Sequence, residues 1–130
     1  MKRREQALLL LAKAAQDESL PDAVIGVDTV ADEVFGFHCQ QAAEKMIKAL
    51  LSGAGMPFQK THNIAALMEA LAGAGMPLPE SFEELETFTP FGALYRYEDL
   101  DSDFGLNRQR ARTTLRSLRI WVEEQLGTCR

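Results

Sequence analysis

The sequence predicts an all-α protein, an up-and-down bundle of four or five helices. Apolar residues recur at helical spacings along most of the chain, and no segment alternates apolar with polar residues convincingly, as a half-buried strand does. The pentapeptide Gly-Ala-Gly-Met-Pro occurs twice, at residues 53–57 and 73–77, and glycine and proline are typical of helix ends. The 130 residues, 46% hydrophobic and 25% charged, are typical of one globular domain. We therefore expect a single helical domain over residues 1–130.

The first helix is predicted over residues 3–18. Its apolar residues share one broad side: Ala7, Leu8, Leu11, Ala14 and Ala15. Pro21 predicts an end near Ser19, because the residue before a proline is disfavoured in the helical conformation. Residues 20–30 show no helical period and are predicted as a loop. Asp28 or Thr29 is the expected N-cap of the next helix, since its side chain accepts a hydrogen bond from a free backbone N–H.

The second helix, predicted over residues 30–52, is expected at the centre of the bundle. A helix with apolar residues on two sides has neighbours on both. One of its faces carries Phe35, Cys39, Ala42, Met46 and Leu50, and the roughly opposite one carries Phe37, Glu44 and Leu51. Between these faces runs a polar stripe at helical spacing: His38, Gln41, Lys45 and Lys48.

The remaining helices follow from the same spacing rules. Thr61 is the expected N-cap of a third helix that ends at the second pentapeptide. Short helices are predicted over residues 82–88 and 91–97, separated by Pro90. The last long helix, over residues 106–126, has an apolar seam of Ala111, Leu115, Leu118, Val122 and Leu126. An arginine stripe flanks that seam: Arg108, Arg112, Arg116 and Arg119.

The net charge of −5 hides an asymmetry between two adjacent segments. Residues 80–103 contain eight acidic residues and a single base, Arg96, whereas residues 106–130 contain six arginines and two glutamates. A free nucleic-acid-binding domain usually has an overall basic excess, which this chain lacks. We therefore expect the arginine stripe to meet the acidic segment, within the chain or across a dimer, with nucleic acid as the alternative.

Common catalytic signatures are absent from the sequence: no phosphate-binding Gly-Lys-Ser/Thr loop, CxxC, HExxH or nucleophile elbow occurs. With two histidines and two cysteines, neither a metal site nor a cofactor is expected. Cys39 and Cys129 do not make a disulfide framework, which favours a reducing cytoplasm. The longest apolar run, residues 7–12, is too short to span a bilayer, so no membrane is expected.

Four sequence blocks carry a resemblance to a known family. They are Phe-His-Cys-Gln-Gln-Ala-Ala-Glu-Lys at 37–45, Lys-Ala-Leu-Leu at 48–51, Lys-Thr-His-Asn-Ile at 60–64 and Tyr-Arg-Tyr-Glu-Asp at 95–99. The chain resembles a HEPN domain, named for higher eukaryotes and prokaryotes nucleotide-binding. The resemblance implies a helical bundle that commonly forms homodimers. It also implies frequent pairing with a minimal nucleotidyltransferase.

Many HEPN proteins are metal-independent ribonucleases, marked by an arginine followed four to six residues later by a histidine. Two copies form one composite site, in which the histidine moves protons and the arginine stabilises charge. In this sequence Arg96 has no histidine after it, since the last histidine is His62. The ribonuclease motif therefore does not transfer. If the chain cleaves RNA, Arg96 is expected to act with another proton carrier, His38 or Asp99.

Two groups of residues are candidates for binding. The first is Tyr95, Arg96, Tyr97 and Asp99, where the arginine offers a planar fork to phosphate or carboxylate and the tyrosines offer stacking faces. Its alternative role is structural, with the arginine paired to a nearby carboxylate. The second is the stripe of His38, Gln41 and Lys45, a polar wall for a ligand or partner. An internally satisfied histidine beside a solvated helix edge is the favoured alternative.

These observations lead to three hypotheses. The first is a dimeric subunit that binds a nucleotide, or a minimal nucleotidyltransferase, in a toxin–antitoxin or defence module. The second is a metal-independent ribonuclease toxin with a composite dimeric site. The third is a plain oligomerisation module without a small ligand.

Overall fold

The computed structural model describes residues 2–58, 61–88 and 106–127. Within those ranges all regular secondary structure is helical, which confirms the all-α prediction. The elements are α1 (Lys2–Val24), α2 (Asp32–Gly53), α3 (Ile64–Gly73), a 3₁₀ helix (Glu80–Phe88) and α4 (Arg108–Leu126). The predicted short helix over 91–97 lies outside the described residues.

Helix α2 is the central element, as its two apolar faces predict. It contacts α1, α3, the 3₁₀ helix and α4. Phe35, Cys39 and Met46 are fully buried, and so are Ile47 and Leu51 on its other sides. Because the surrounding core is close-packed, a polar side chain on a buried face of α2 is held in a fixed position.

Helix α1 continues past the proline that was expected to end it. The predicted end near Ser19 is wrong, and the helix runs through Pro21 to Val24. Tertiary ion pairs hold this last part: Arg119 Nε donates to Glu18 Oε1 at 2.9 Å, and Arg112 Nε lies 2.8 Å from Asp22 Oδ1. Contacts with α4 therefore outweigh the local cost of one missing backbone donor.

The N-cap residue of α2 is Ala31, so the predicted cap at Asp28 or Thr29 is wrong. Its backbone is extended, and no side chain makes a capping hydrogen bond. A guanidinium from the far end of the chain instead binds the carbonyl groups of the preceding loop and a carboxylate in the first turn of α2. Arg108 donates to the carbonyls of Val24, at 3.1 Å, and Val27, at 3.2 Å, and Nε donates to Asp32 at 2.9 Å. These bonds give backbone carbonyls of the α1–α2 loop hydrogen-bond donors from a distant side chain.

The two copies of the pentapeptide end α2 and α3 in the same way, as predicted. Met56 N–H donates to Leu51 O and Met76 N–H donates to Leu71 O, both at 2.9 Å. Gly55 and Gly75 have φ values of 73° and 84°. This is the Schellman motif, in which a glycine takes the left-handed conformation just past the helix.

Asparagine side chains cap the starts of α3 and α4. Asn63 accepts from Ala66 N–H at 3.2 Å, so it caps α3 in place of the predicted Thr61. Thr61 Oγ1 instead accepts from Asn63 N–H at 3.1 Å, two residues on. Asn107 accepts from Arg110 N–H at 3.0 Å and caps α4. Both asparagine caps use the carboxamide oxygen to satisfy a free donor of the first turn.

Candidate functional site

A buried carboxylate lies where α2 faces the start of α3. Glu44 is only 3% exposed. Its Oε1 accepts from Lys48 Nζ at 2.6 Å, and its Oε2 accepts from Gln40 Nε2 at 2.8 Å. His62 Nδ1 lies 3.0 Å from Oε2. We call Gln40, Glu44, Lys48 and His62 the Glu44 cluster.

Helical spacing brings three of the four residues of this cluster together, since Gln40, Glu44 and Lys48 lie four residues apart on one side of α2. A carboxylate this buried requires a counter-charge and hydrogen-bond donors. Lys48 supplies the charge, while Gln40 also donates to the backbone carbonyl of His62 at 2.9 Å. The cluster therefore fixes the segment that leads into α3.

His62 is the member of the cluster that faces solvent. Its side chain is 67% exposed even though Nδ1 lies against the Glu44 carboxylate. Because an ionised carboxylate only accepts, Nδ1 carries the hydrogen, which leaves Nε2 as the ring nitrogen for an external group. A histidine oriented by a buried acid is suited to exchange a proton with a ligand or to bind one of its oxygens.

An open groove adjoins the cluster, with Pro57, Phe58 and Thr61 on one side and α3 on the other. Its volume is about 440 Å³, within the range of ligand clefts. Phe58 links the groove to the cluster, because Lys48 Nζ lies 5.7 Å from the centre of its ring. The described lining consists of Pro57, Phe58, Thr61, Ala66, Leu67, Glu69 and Ala70.

The predicted polar stripe on α2 divides between two sets of internal partners. His38 Nδ1 lies 3.4 Å from Asp17 Oδ1, and Lys45 forms an ion pair with the other oxygen of Asp17. Gln41 donates to Gln40 Oε1 at 3.0 Å, next to the Glu44 cluster. The stripe therefore joins α2 to α1 and to the cluster. Ligand binding by His38, Gln41 and Lys45 stays a prediction.

The second candidate group lies outside the described residues. Tyr95, Arg96, Tyr97 and Asp99 all fall within residues 89–105. Their roles in binding, or in RNA cleavage for Arg96 and Asp99, stay predictions.

The arginine stripe on α4 meets carboxylates of α1 and α2. Asp22 lies 2.8 Å from Arg112 Nε and 3.8 Å from Arg116 Nη2, while Arg119 bonds Glu18. Among the described residues, the arginine of α4 that pairs with the acidic segment is Arg110, which is not part of the stripe and donates to Glu84 at 2.6 Å. Within the described residues the stripe pairs with acids of α1 and α2, because α1 carries acids on the side that packs against α4. The acids at positions 98, 99, 101 and 103 lie outside the described residues, so pairing of the stripe with them stays a prediction.

Cys39 lies in the core close to these α1 acids and is fully buried. Burial raises the pKa of its thiol from 9.0 to about 12, and the negative charges of Glu18 and Asp22 act in the same direction. Since the thiolate is the reactive form, this cysteine is a packing residue rather than a nucleophile.

The described part of the chain has neither a cluster of metal ligands nor a membrane-spanning helix. Residues 2–58, 61–88 and 106–127 contain no group of three His, Cys, Asp or Glu side chains arranged to hold a metal ion. None of the four α-helices described above has the length and apolarity that crossing a bilayer requires.

The architecture defines a helical-bundle protein in which a buried acid of α2 holds an exposed histidine that precedes α3. A family model of the HEPN domain matches residues 17–125, and the chain belongs to the HEPN family. Neither a curated protein nor a solved structure matches it. Family membership indicates a nucleotide- or RNA-related function in general.

Sequence reasoning did not assign Glu44 any role in a site. The available signal was local: an acid follows Ala42 and Ala43 and precedes Met46, with Gln40 and Lys48 one turn away on either side. An acid within such an apolar stretch is expected to be buried and paired. The contact with His62 is long-range and depends on the fold.

Proposed function

We propose that this HEPN protein binds a nucleotide, or the end of an RNA strand, beside the Glu44 cluster. The observation that carries the proposal is the exposed His62 imidazole held on a buried carboxylate. When protonated, this ring donates through Nε2 to a phosphate oxygen, while Glu44 stabilises its positive charge.

The groove supports the same ligand class. The ring of Phe58 offers a stacking face for a base, and base–aromatic stacking contributes about 1–3 kcal/mol in nucleic-acid complexes. Thr61 and Glu69 line the same groove and suit the hydroxyl groups of a ribose, since a carboxylate accepts from them. A base, a sugar and a phosphate thus each have a matching group.

Nucleotide binding is tested by calorimetry with ATP, GTP, CTP, UTP and their monophosphates. We expect at least one to bind, and His62→Gln and Phe58→Ala each to weaken it about tenfold or more. Glu86→Gln, an exposed acid on the 3₁₀ helix, is the matched control. Failure of every nucleotide and of short RNA to bind overturns the proposal.

We further propose that the protein forms a homodimer and works with a minimal nucleotidyltransferase, in a cytoplasmic toxin–antitoxin or defence module. The HEPN family match supports this partnership. Co-expression with the product of the neighbouring gene, followed by purification through a tag on one protein, is the test. Separate elution of the two proteins contradicts the partnership, while nucleotide binding is judged by its own measurement.

A metal-independent ribonuclease is the second candidate function. Two histidine–carboxylate pairs favour it, His38 with Asp17 at 3.4 Å and His62 with Glu44 at 3.0 Å. Incubation with RNA in EDTA should give cleavage that disappears in Arg96→Ala and in one of the two histidine variants. Intact RNA in every assay dismisses this candidate.

A further inference from the structure

The outer side of α1 exposes apolar side chains that have no counterpart in the core. Leu9 is 57% exposed and Leu8 is 41% exposed. Ala12 is also exposed, and the helical rotation of 100° per residue places it between the two leucines. The opposite side of the helix is buried through Ala7, Leu11 and Ala14. Helix α1 therefore has two apolar sides, of which the bundle covers one.

Helix α4 lies alongside α1 and also exposes a large apolar side chain. Arg4 Nη1 donates to Leu126 O at 2.8 Å, and Arg119 Nε donates to Glu18 at 2.9 Å, so the two helices are antiparallel neighbours. Ile120, which follows Arg119, is 48% exposed. Three large exposed apolar side chains on adjacent helices are typical of an interaction surface.

The charges around Leu9 indicate which partner fits this surface. Glu5 lies one turn before Leu9 and Lys13 one turn after it, and both are exposed. When two copies of α1 cross antiparallel at Leu9, Glu5 of each copy falls beside Lys13 of the other. A parallel pair instead places like charges together, which is unfavourable. The surface is thus complementary to itself under a two-fold axis.

We infer that a second copy of this chain docks on the outer side of α1, antiparallel, with Leu9 at the two-fold axis. The small side chain of Ala12 allows the two helices to approach closely, with Leu8 and Leu9 packed beside it. The inference deepens the proposed function, since it assigns a surface to the proposed homodimer. Leu8, Leu9 and their charged neighbours all precede residue 17, where the family match begins.

The size of the surface sets the expected strength. A crossing of two helices with Ile120 at its edge is smaller than the standard interface of about 1,600 Å². We therefore expect a dimer that dissociates on dilution through the micromolar range. Sedimentation velocity of the full chain over a hundredfold concentration range measures this directly.

Charge reversal identifies the pairing. Glu5→Lys places two lysines against each other and Lys13→Glu places two glutamates together, so each variant should weaken the dimer at least tenfold. An equal mixture of the two variants should form a heterodimer, because every pair is then of opposite sign. The doubly reversed variant should regain the dimer. Failure of both the mixture and the double variant to pair overturns the antiparallel register.

Leu9→Glu should abolish the dimer, and circular dichroism should show an unchanged helix content because Leu9 is exposed. Met56→Glu, at an exposed apolar residue just past α2, is the control and should leave the dimer intact. A dimer that survives Leu9→Glu overturns this surface but not the homodimer. A wild-type chain that is monomeric throughout overturns both, whereas nucleotide binding is measured separately.

Discussion

Glu44 shows how one residue can join structure and function. Its carboxylate accepts from Gln40, Lys48 and His62, so it fixes three groups of which only the imidazole is largely exposed. Retaining the charge inside the protein costs desolvation, which the ion pair with Lys48 offsets. The buried acid therefore stabilises the fold while it orients the proposed ligand-binding histidine.

Replacing Glu44 should destabilise the protein strongly. In Glu44→Ala, Lys48 and Gln40 lose their shared acceptor while they remain partly or fully buried. Breaking a buried pair in this way costs about 3–5 kcal/mol, so urea unfolding should show a loss of about 3 kcal/mol or more. Glu86→Ala should change the free energy of unfolding by less than about 0.5 kcal/mol. Equal effects of the two substitutions contradict the role assigned to Glu44.

Cys39 should be unreactive in the folded protein and should affect stability at high pH. With Cys129→Ser as background, iodoacetamide at pH 8 should label Cys39 only after unfolding, because its pKa is raised to about 12. A raised folded-state pKa stabilises the protein fully below the unfolded value of 9.0, and this contribution is lost as pH rises from 9.0 toward 12. Cys39→Ala should flatten the fall in unfolding free energy over that window. Rapid labelling of the native protein contradicts both expectations.

At the scale of the helical elements, the sequence predicted helix boundaries correctly where residues close in sequence satisfy the backbone hydrogen bonds. The repeated pentapeptide predicted two helix ends, and both form the same pair of hydrogen bonds within five residues of sequence. Distant side chains decided the boundaries that prediction missed. Arg108 bonds Asp32 in the first turn of α2, and Arg112 and Arg119 hold α1 helical past Pro21. No local pattern encodes a partner about a hundred residues away.

The glycines of the two helix ends should respond to alanine according to their backbone conformation. Gly75→Ala has open space for the methyl group, but φ of 84° should lower the free energy of unfolding by about 1–2 kcal/mol. Gly55→Ala, with φ of 73°, should lower it by a similar amount, because the exposed Arg3 side chain that meets the methyl group can move aside. Gly73→Ala, in helical conformation with nothing within 4 Å, is the control and should be neutral or stabilising. Chemical denaturation of the three variants tests this order, and an equal loss in Gly73→Ala contradicts it.

At the scale of the whole molecule, the basic segment of the sequence has its acidic partners in the first helix. The arginines of α4 pair with Glu18 and Asp22 of α1, so the basic segment serves the bundle first. The sequence predicted the segments and their opposite signs, whereas the pairing depends on which helices are neighbours. The same limit applies to the candidate site, where the residues on α2 were visible in the sequence but the approach of His62 was not.

The hydrogen bond from Arg4 to the carbonyl of Leu126 brings the beginning of α1 to the end of α4. Helix ends that lie this close can be joined by a linker, so the order of the helices along the polypeptide is separable from their packing. We expect a circular permutant to fold when a short Gly-Ser linker joins the ends and the chain is reopened between Pro77 and Leu78. A permutant opened between Met46 and Ile47, both fully buried, should not fold. Cooperative thermal unfolding of the first and its absence in the second would show that this architecture requires an intact α2 and not the original chain order.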